Sequence, residues 1–384
     1  MRATKTTTLK TFNDFSKIIF IQGEILGLIT FSRTKSGLTP SKIKYLGNIF
    51  RGLAFTSFTC YFLFRLTSSP YIPLFSKCTP IICYGYSIFY INLVLILSAS
   101  NSRKFIEFIL NVAEFDANFS SEKILQYLTN RRKIQRYWLS KYVFLSVFFV
   151  LFNTADNVNF FTISSSCMGS FLSIVTFIIC QVTTELVLHL HFRFVFLNSR
   201  LMTIVRYFSN HDLNSIMKEK DTKRMFFIFS EICTWHHHLS KLIRLFNEIF
   251  GVPLLFAFGY TFLVSAVSFF YIAGEFQKSE IDWVAPVFLL VVVLLYLLDT
   301  TRLCDACYRT VEEITMTGDL IHKIRTQDLD IIDGIEMFAL QIANERAEFT
   351  AAGFFPINYT LLFSLIGGVT TYIIILLQLA ATLR

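Results

Sequence analysis

The sequence predicts an all-α membrane protein that crosses the bilayer seven times, with a cytoplasmic N-terminus and an extracellular C-terminus. Three observations carry this. Hydrophobic residues make up 54% of the 384-residue chain, and Phe alone occupies 44 positions. Charged residues are only 16%, where a soluble domain carries about 25%. The third is a strongly one-sided distribution of Lys and Arg between the apolar segments. No polar linker, Pro- or Gly-rich hinge or internal repeat divides the chain, so a single membrane domain is expected.

A transmembrane helix needs about 20 mostly apolar residues to cross roughly 30 Å of hydrocarbon. Seven windows meet that need, at about 46–66, 78–98, 137–154, 166–188, 250–272, 283–300 and 354–382. The fifth is charge-free from Ile249 to Gly274, and the last is charge-free from Phe349 to Leu383. The first carries Arg51 and Arg65, each costing about 2.5–3.5 kcal/mol at a helix centre, but both lie toward its ends and can snorkel to the headgroups. A shorter apolar stretch, Phe15 to Phe31, contains Lys17 and Glu24. Glu24 would fall mid-membrane in a span, and no compact small-residue cleavage site follows. An amphipathic helix lying at the cytoplasmic face is expected instead.

Charge sets the orientation. Segments 1–45, 99–141, 189–249 and 301–348 hold 8, 8, 9 and 5 Lys plus Arg. The opposite segments, 67–77, 155–165, 273–282 and the C-terminal residue, hold 1, 0, 1 and 1. Loops rich in Lys and Arg stay cytoplasmic. The net charge of +8 is thus a topological signature, and nucleic-acid binding is not indicated.

The outer loops are about ten residues each, whereas 189–249 and 301–348 are long. In both long segments apolar residues recur at helical spacing among charges, as in Ile335 to Phe349. These segments read as spanning helices that continue into the cytoplasm and pack there as an anchor. With such short outer loops, an extracellular ligand must enter between the spans.

Several patterns resemble chemistry without the spacing it needs. His236, His237 and His238 point about 100° apart on a helix and cannot share a metal, so a helix surface is expected. Cys304 and Cys307 form a CxxC without the second pair that zinc requires. Cys78, Cys83 and Cys167 fall near the outer face, where oxidation can occur; a Cys78–Cys167 bridge is one state and unpaired buried thiols the expected one. Asn118 and Asn358 open glycosylation sequons on the cytoplasmic side of the topology, where neither is modified. Lys141, Glu185 and Asp299 lie near helix ends, so no acid–base relay crosses a helix interior. The sequence holds no Walker loop, nucleophile elbow or HExxH. No catalytic residue, cofactor or metal is expected, and the chain is not expected to be an enzyme.

The last span carries Gly367 and Gly368 midway and a polar Gln378 in an otherwise apolar run. Tyr372, Ile375 and Gln378 are three apart, and Thr371, Ile375 and Gln378 are four and three apart, so they share a face. Gln378 either bonds a neighbouring helix as polar glue or lines a pore where several copies meet. Spacing does not separate the two.

Thr371 and Tyr372, five apolar residues, Gln378 and a large apolar residue resemble the TYhhhhhQF signature of insect gustatory receptors. Leu379 stands where most members have Phe, as it does in the related odorant co-receptor. The resemblance extends over Phe349 to Tyr372 and over Leu239 to Gly251, with Asn247. It implies a tetrameric, ligand-gated, non-selective cation channel in the plasma membrane of chemosensory neurons. That channel is a homotetramer or a heteromer with other gustatory receptors. Its partners would be a small-molecule tastant, permeating cations and membrane lipid. The final helix would have a cytoplasmic part at about 304–348 and a pore-lining part at about 354–382, with a gate at Ile375, Gln378 outside it and Tyr372 one turn inward. At about 1.5 Å per residue, Gln378 would lie about 36 Å along the helix from Phe354. The ligand pocket would lie in the outer half of the bundle, where the aromatic candidates are Tyr84, Tyr86, Phe160, Phe269, Tyr271 and Trp283. The motif run of Ile373 to Leu377 lacks the acidic residue of the main sugar-receptor branch, which favours a bitter-type tastant. A G-protein-coupled receptor and a secondary transporter are the alternative readings. The topology is testable: an N-terminal epitope tag is expected to stain only after permeabilisation, and a C-terminal tag on intact cells. An N-terminal tag that stains intact cells would return the chain to the G-protein-coupled alternative.

Overall fold

A computed structural model describes residues 21–34 apart from 22, then 37–68, 74–119, 160–210, 219–276, 283–345 apart from 327, and 347–382. Eight helices run through these residues: α1 (Lys42–Ser68), α2 (Leu74–Ser100), α3 (Ser102–Asn118), α4 (Phe160–Asn210), α5 (Glu219–Glu275), α6 (Val284–Ile321), α7 (Leu329–Asn344) and α8 (Tyr359–Thr382). Two antiparallel hairpins accompany them. The first pairs β1 (Phe31–Thr34) with β2 (Gly37–Pro40), and the second pairs β3 (Thr350–Ala351) with β4 (Phe355–Pro356). The expected span at 137–154 lies outside the described residues.

Among the described helices, four are long and apolar enough to cross a membrane, over Ile81–Ser100, Phe171–Ser209, Lys223–Glu275 and Pro286–Ile321. α1 has the length, at 27 residues, but Arg51, Arg65 and its hydroxyl side chains reduce its apolar character. α4, α5 and α6, at 51, 57 and 38 residues, are far longer than the 20 that span hydrocarbon. The chain divides into two compact units. The first comprises Met1–Val182, Ile249–Thr301 and Leu362–Arg384; the second comprises Thr183–Glu248 and Arg302–Leu361.

In the first unit the N-terminal segment departs from the expected continuous helix to Phe31. Helical backbone ends at Ile25, a turn follows, and β1 begins at Phe31. Gly27 is the cause. Its φ of 77° lies in the left-handed region, and a Cβ there would sit 2.2 Å from Asn48 Oδ1. Leu28, Ile29 and Phe31 are buried, with the Phe31 ring edge-on to Phe105 at 5.7 Å. Glu24, which a span would have stranded in hydrocarbon, accepts from Lys44 Nζ at 2.5 Å.

The second unit has an apolar core of residues such as Leu201, Phe208, Phe229, Ile232, Leu320 and Phe338. A polar junction ties α4 to α6 within it. Asn198 Nδ2 donates to the Glu313 carbonyl and to its Oε2, both at 2.8 Å, and Thr317 Oγ1 donates to Asn198 Oδ1 at 2.7 Å. This uses the whole amide, as a buried Asn requires. The apolar periodicity of 335–349 is only partly a helix. α6 stops at Ile321, and α7 is a separate 16-residue helix capped by Asp328, which accepts from the Asp330 and Ile331 amides.

The expectation of three surface histidines also fails in part. His236 is 1% exposed, with its ring edge-on between Phe194 at 5.4 Å and Phe338 at 5.3 Å. Its ring nitrogens have no hydrogen-bond partner among the described residues. His237 does lie at the surface, paired with Glu345. Burial, with the neighbouring His237 adding, pushes the His236 pKa down to about 4. Cys304 and Cys307 are buried free thiols, and burial pushes Cys304 up to about 12, which keeps it protonated. The side chains of Cys78 and Cys167 lie outside the described residues.

The chain from 347 to 349 lies outside helix and strand, so its backbone groups need partners from elsewhere. Asn247 of α5 supplies two. Its Nδ2 donates to the Glu348 carbonyl at 2.7 Å, and its Oδ1 accepts from the Thr350 amide at 3.0 Å. The Phe349 ring between these contacts is buried edge-on against Phe246 at 5.3 Å. The Phe349 carbonyl accepts from the Ile357 amide at 2.8 Å, closing the second hairpin. Asn358 then caps α8, its Oδ1 accepting from the Thr360 amide at 2.9 Å. The sequon asparagine is therefore a helix cap. α8 accordingly starts at Tyr359 rather than 354, because 350–356 is a hairpin, and Gln378 lies about 28 Å along it.

Two stability measurements follow. Replacing Asn247 by Leu is expected to lower stability by about 1–2 kcal/mol, since two hydrogen bonds are lost. Asn247→Asp, which keeps the acceptor, should fall between. Thermal unfolding of the detergent-solubilised protein reads this, and an unchanged midpoint for Asn247→Leu would refute the clamp. His236 has a folded pKa below its ordinary value, so the unfolded state takes up the proton first. Stability is therefore present above about pH 6.5 and is lost as pH falls toward 4. His236→Phe, which suits the aromatic surroundings, should remove about 2 kcal/mol of the loss between pH 6.5 and 5, measured as a flatter dependence of unfolding midpoint on pH.

Candidate ligand and pore sites

Tyrosines at helical spacing build an aromatic cluster in the first unit. α2 carries Tyr86 and Tyr90, and α5 carries Phe256 and Tyr260, each pair four residues apart and so on one face. The rings of Tyr86 and Tyr90 stack on Tyr260 at 6.3 and 6.2 Å. Tyr260 meets Tyr296 of α6 edge-on at 6.0 Å, and Tyr296 stacks on Phe177 of α4 at 4.6 Å. Tyr90, Tyr260 and Tyr296 are buried.

A phenol hydroxyl inside an apolar bundle needs a partner. Tyr86 donates to the Phe256 carbonyl at 2.8 Å, and Tyr296 donates to Ser173 Oγ at 2.9 Å. The first contact depends on Gly259, where a Cβ would lie 2.4 Å from the Tyr86 hydroxyl oxygen. Four helices thus converge on flat ring faces and on the two fixed hydroxyls of Tyr86 and Tyr296, the chemistry that holds a small aromatic or cyclic molecule by stacking and a few directed hydrogen bonds.

Of the six aromatic residues nominated from the sequence, Tyr86 is the one described side chain that belongs to this cluster. Tyr84 packs edge-on against Phe62 of α1 at 5.1 Å. Phe269 is half-buried on α5. Tyr271 is exposed and meets Phe270 at 6.3 Å, and Trp283 is exposed and meets Phe276 at 5.8 Å. The Phe160 side chain lies outside the described residues. What these six share is their depth in the expected spans. The signal that would have found Tyr90, Tyr260 and Tyr296 is the recurrence of phenols within apolar windows, where each hydroxyl is costly unless bonded.

α8 presents two unlike sides. Leu365 and Val369, four apart, are buried, and a Cβ on Gly368 would meet the Phe262 ring at 3.1 Å. The ring of Tyr372 lies 6.2 Å from that of Phe262. α8 therefore packs on α5 through Gly368, with Tyr372 at the border of the contact. The motif side is uncovered: Tyr372 is 42% and Ile375 52% exposed, and Thr371 and Gln378 are exposed. Thr370 and Thr371 return their hydroxyls to the carbonyls of Ile366 and Gly367 at 2.9 and 3.0 Å, which removes their donors from the surface. Phe363, Ile366 and Ile374 are exposed as well. The Leu379 side chain lies outside the described residues. The structure thus brings Tyr372, Ile375 and Gln378 onto one uncovered side, apolar but for the Tyr372 hydroxyl and the Gln378 amide. Among the described residues no three His, Cys, Asp or Glu side chains gather as metal ligands.

Comparison with known proteins gives the chain its family. The family described as 7tm Chemosensory receptor matches residues 17–382. In Drosophila melanogaster, putative gustatory receptor 28b is 27% identical over 161 residues, 39% of this chain and 34% of that protein. Gustatory receptor for bitter taste 66a, from the same fly, is 27% identical over 159 residues, 39% of this chain and 30% of that protein. The matched segment thus spans about a third of the length of these relatives. The fold is similar to the insect olfactory receptor OR5 from Machilis hrabei, solved in complex with eugenol. The TM-score is 0.65 at 14% identity, covering 96% of this chain and 99% of that one. With helices, apolar spans and C-terminal motif all in keeping, this chain belongs to the 7tm chemosensory receptor family.

Proposed function

We propose that the protein is a gustatory receptor that acts as a tetrameric, ligand-gated, non-selective cation channel opened by small-molecule tastants, bitter-type rather than sugar. It would reside in the plasma membrane of chemosensory neurons, with its N-terminus cytoplasmic. The observation that carries this reading is the uncovered motif side of α8, in a chain that the chemosensory family matches over 17–382. A span whose polar Gln378 is exposed among the described residues suits a surface completed by other copies around a wet path. The division of the chain supports the anchor, since the second unit is built from residues that overlap the two Lys- and Arg-rich segments. The bitter preference is supported by the run of Ile373 to Leu377 without an acid and by the similarity to a fly receptor named for bitter taste. The aromatic cluster on α2, α4, α5 and α6 is the ligand site that this reading favours, and the eugenol complex of the similar olfactory receptor is in keeping with a small aromatic occupant.

In a four-fold assembly, Ile375 side chains would form an apolar ring that excludes water when narrow, which gates by dewetting. Gln378 amides would then offer carbonyl oxygens to a passing cation. Ligand-evoked current in excised patches without nucleotides is expected, with plant alkaloids outperforming sugars in calcium imaging. Loss of current on G-protein blockade, or substrate uptake without channel-like conductance, would favour the alternatives. Ile375→Ser should raise basal current. Gln378→Arg should suppress cation current by about tenfold or more through charge repulsion in the pore while surface biotinylation stays normal. A Gln378→Arg protein that reaches the surface and conducts normally would make Gln378 packing glue.

A further inference from the structure

Arg51 lies within the first expected span, and the reading above gives it no role. In the first unit it stands at the mouth of a cavity of about 470 Å³, within the range of about 300–1,000 Å³ that ligand sites occupy. Ile91 and Val94 of α2 form the buried back wall, the paired rings of Phe55 and Phe171, 5.5 Å apart, close one end, and Phe50 and Phe58 form an exposed rim. Among the described lining residues Arg51 is the one charged group. Its guanidinium is held in place: Nη1 donates to Asn48 Oδ1 at 2.8 Å, and Asn48 Nδ2 donates to the Gly27 and Leu95 carbonyls at 2.8 and 3.2 Å. No carboxylate among the described residues pairs with Arg51. The nearby Lys44 is already spent on Glu24 and on the Phe31 carbonyl at 2.7 Å.

We propose that this groove binds one anionic phospholipid, with an acyl chain in the apolar cavity and the phosphate on Arg51. An apolar groove with an open hydrophobic rim inside a span faces hydrocarbon, so its occupant comes from the bilayer. A fixed cation at its mouth selects an amphiphile with an anionic head, and the planar guanidinium fork matches phosphate oxygens in pairs. The charge count puts the start of α1 on the cytoplasmic side, and Arg51 lies about 7 Å inside the window that begins at 46. That depth is within reach of a snorkelling Arg and a cytoplasmic-leaflet phosphate. The site does not depend on the channel reading, on α8 or on the tyrosine cluster.

The test uses full-length protein in nanodiscs of phosphatidylcholine mixed with phosphatidylserine and phosphatidylinositol, with retained lipid identified by native mass spectrometry. The wild type is expected to retain one anionic phospholipid per chain, preferred over phosphatidylcholine by about tenfold, the strength of one charge-assisted contact. Arg51→Gln should abolish that preference, and Arg51→Lys should keep part of it. Ala54→Trp fills the cavity and should eject the lipid with Arg51 intact, while a monodisperse elution profile certifies folding. Equal retention of neutral and anionic lipid by the wild type would overturn the proposal. So would an unchanged preference in Arg51→Gln, or recovery of a free fatty acid in place of phospholipid.

Discussion

The entry into the last helix depends on one side chain, the amide of Asn247. The chain from 347 to 349 belongs to no helix or strand, and such backbone has no ladder of its own to satisfy it. A buried or lipid-facing position for such a segment is excluded unless something else supplies the hydrogen bonds. Asn247 offers a donor and an acceptor from a rigid helix, and so takes the place of a neighbouring strand. Once Glu348 and Thr350 are held, Phe349 is committed to Phe246, the hairpin closes on the Phe349 carbonyl, and Asn358 is in place to cap α8. Where α8 starts, and hence how its residues are numbered along the helix, follows from that clamp. Tyr359 adds a second tie, donating to Asp305 at 2.6 Å beside a ring contact with Tyr308 at 5.2 Å.

The same rule, that polar groups in apolar surroundings must be paired, organises the rest of each unit. In the first, Asn48 binds two carbonyls and a guanidinium, and the Tyr86 and Tyr296 hydroxyls find a carbonyl and a serine. In the second, Asn198 saturates its amide on Glu313 and Thr317. Buried Arg193 donates to the His189 carbonyl at 2.5 Å. Such directed contacts select one helix register where apolar packing alone would tolerate several. His236 departs from this rule, its ring nitrogens without a hydrogen-bond partner among the described residues and its ring packed between Phe194 and Phe338.

Much of the architecture was legible in the chain because hydrocarbon imposes a simple requirement. Twenty apolar residues mark a span whatever they pack against, so α2, α4, α5 and α6 are visible as windows before any contact is known. The TY-x₅-Q spacing similarly marks the uncovered side of α8, because three-residue steps place Tyr372, Ile375 and Gln378 together on any helix. The aromatic site was less legible. Tyr86 could be nominated, but Tyr90, Tyr260 and Tyr296 come from three helices whose adjacency no local pattern encodes.

Composition and periodicity by themselves determined that this chain is helical, membrane-embedded and built around a C-terminal polar interruption in an apolar helix. Those properties depend on residues a few positions apart and on transfer from water, which local sequence states directly. Tertiary structure decided what depends on partners distant in the chain. It turned Glu24 to Lys44, buried His236 between Phe194 and Phe338, ended the helix of the 335–349 pattern at Asn344, and left Arg51 facing an apolar groove. The first three are set by hydrogen bonds or ring contacts between residues twenty to more than one hundred positions apart, and such contacts exist only once the helices are packed.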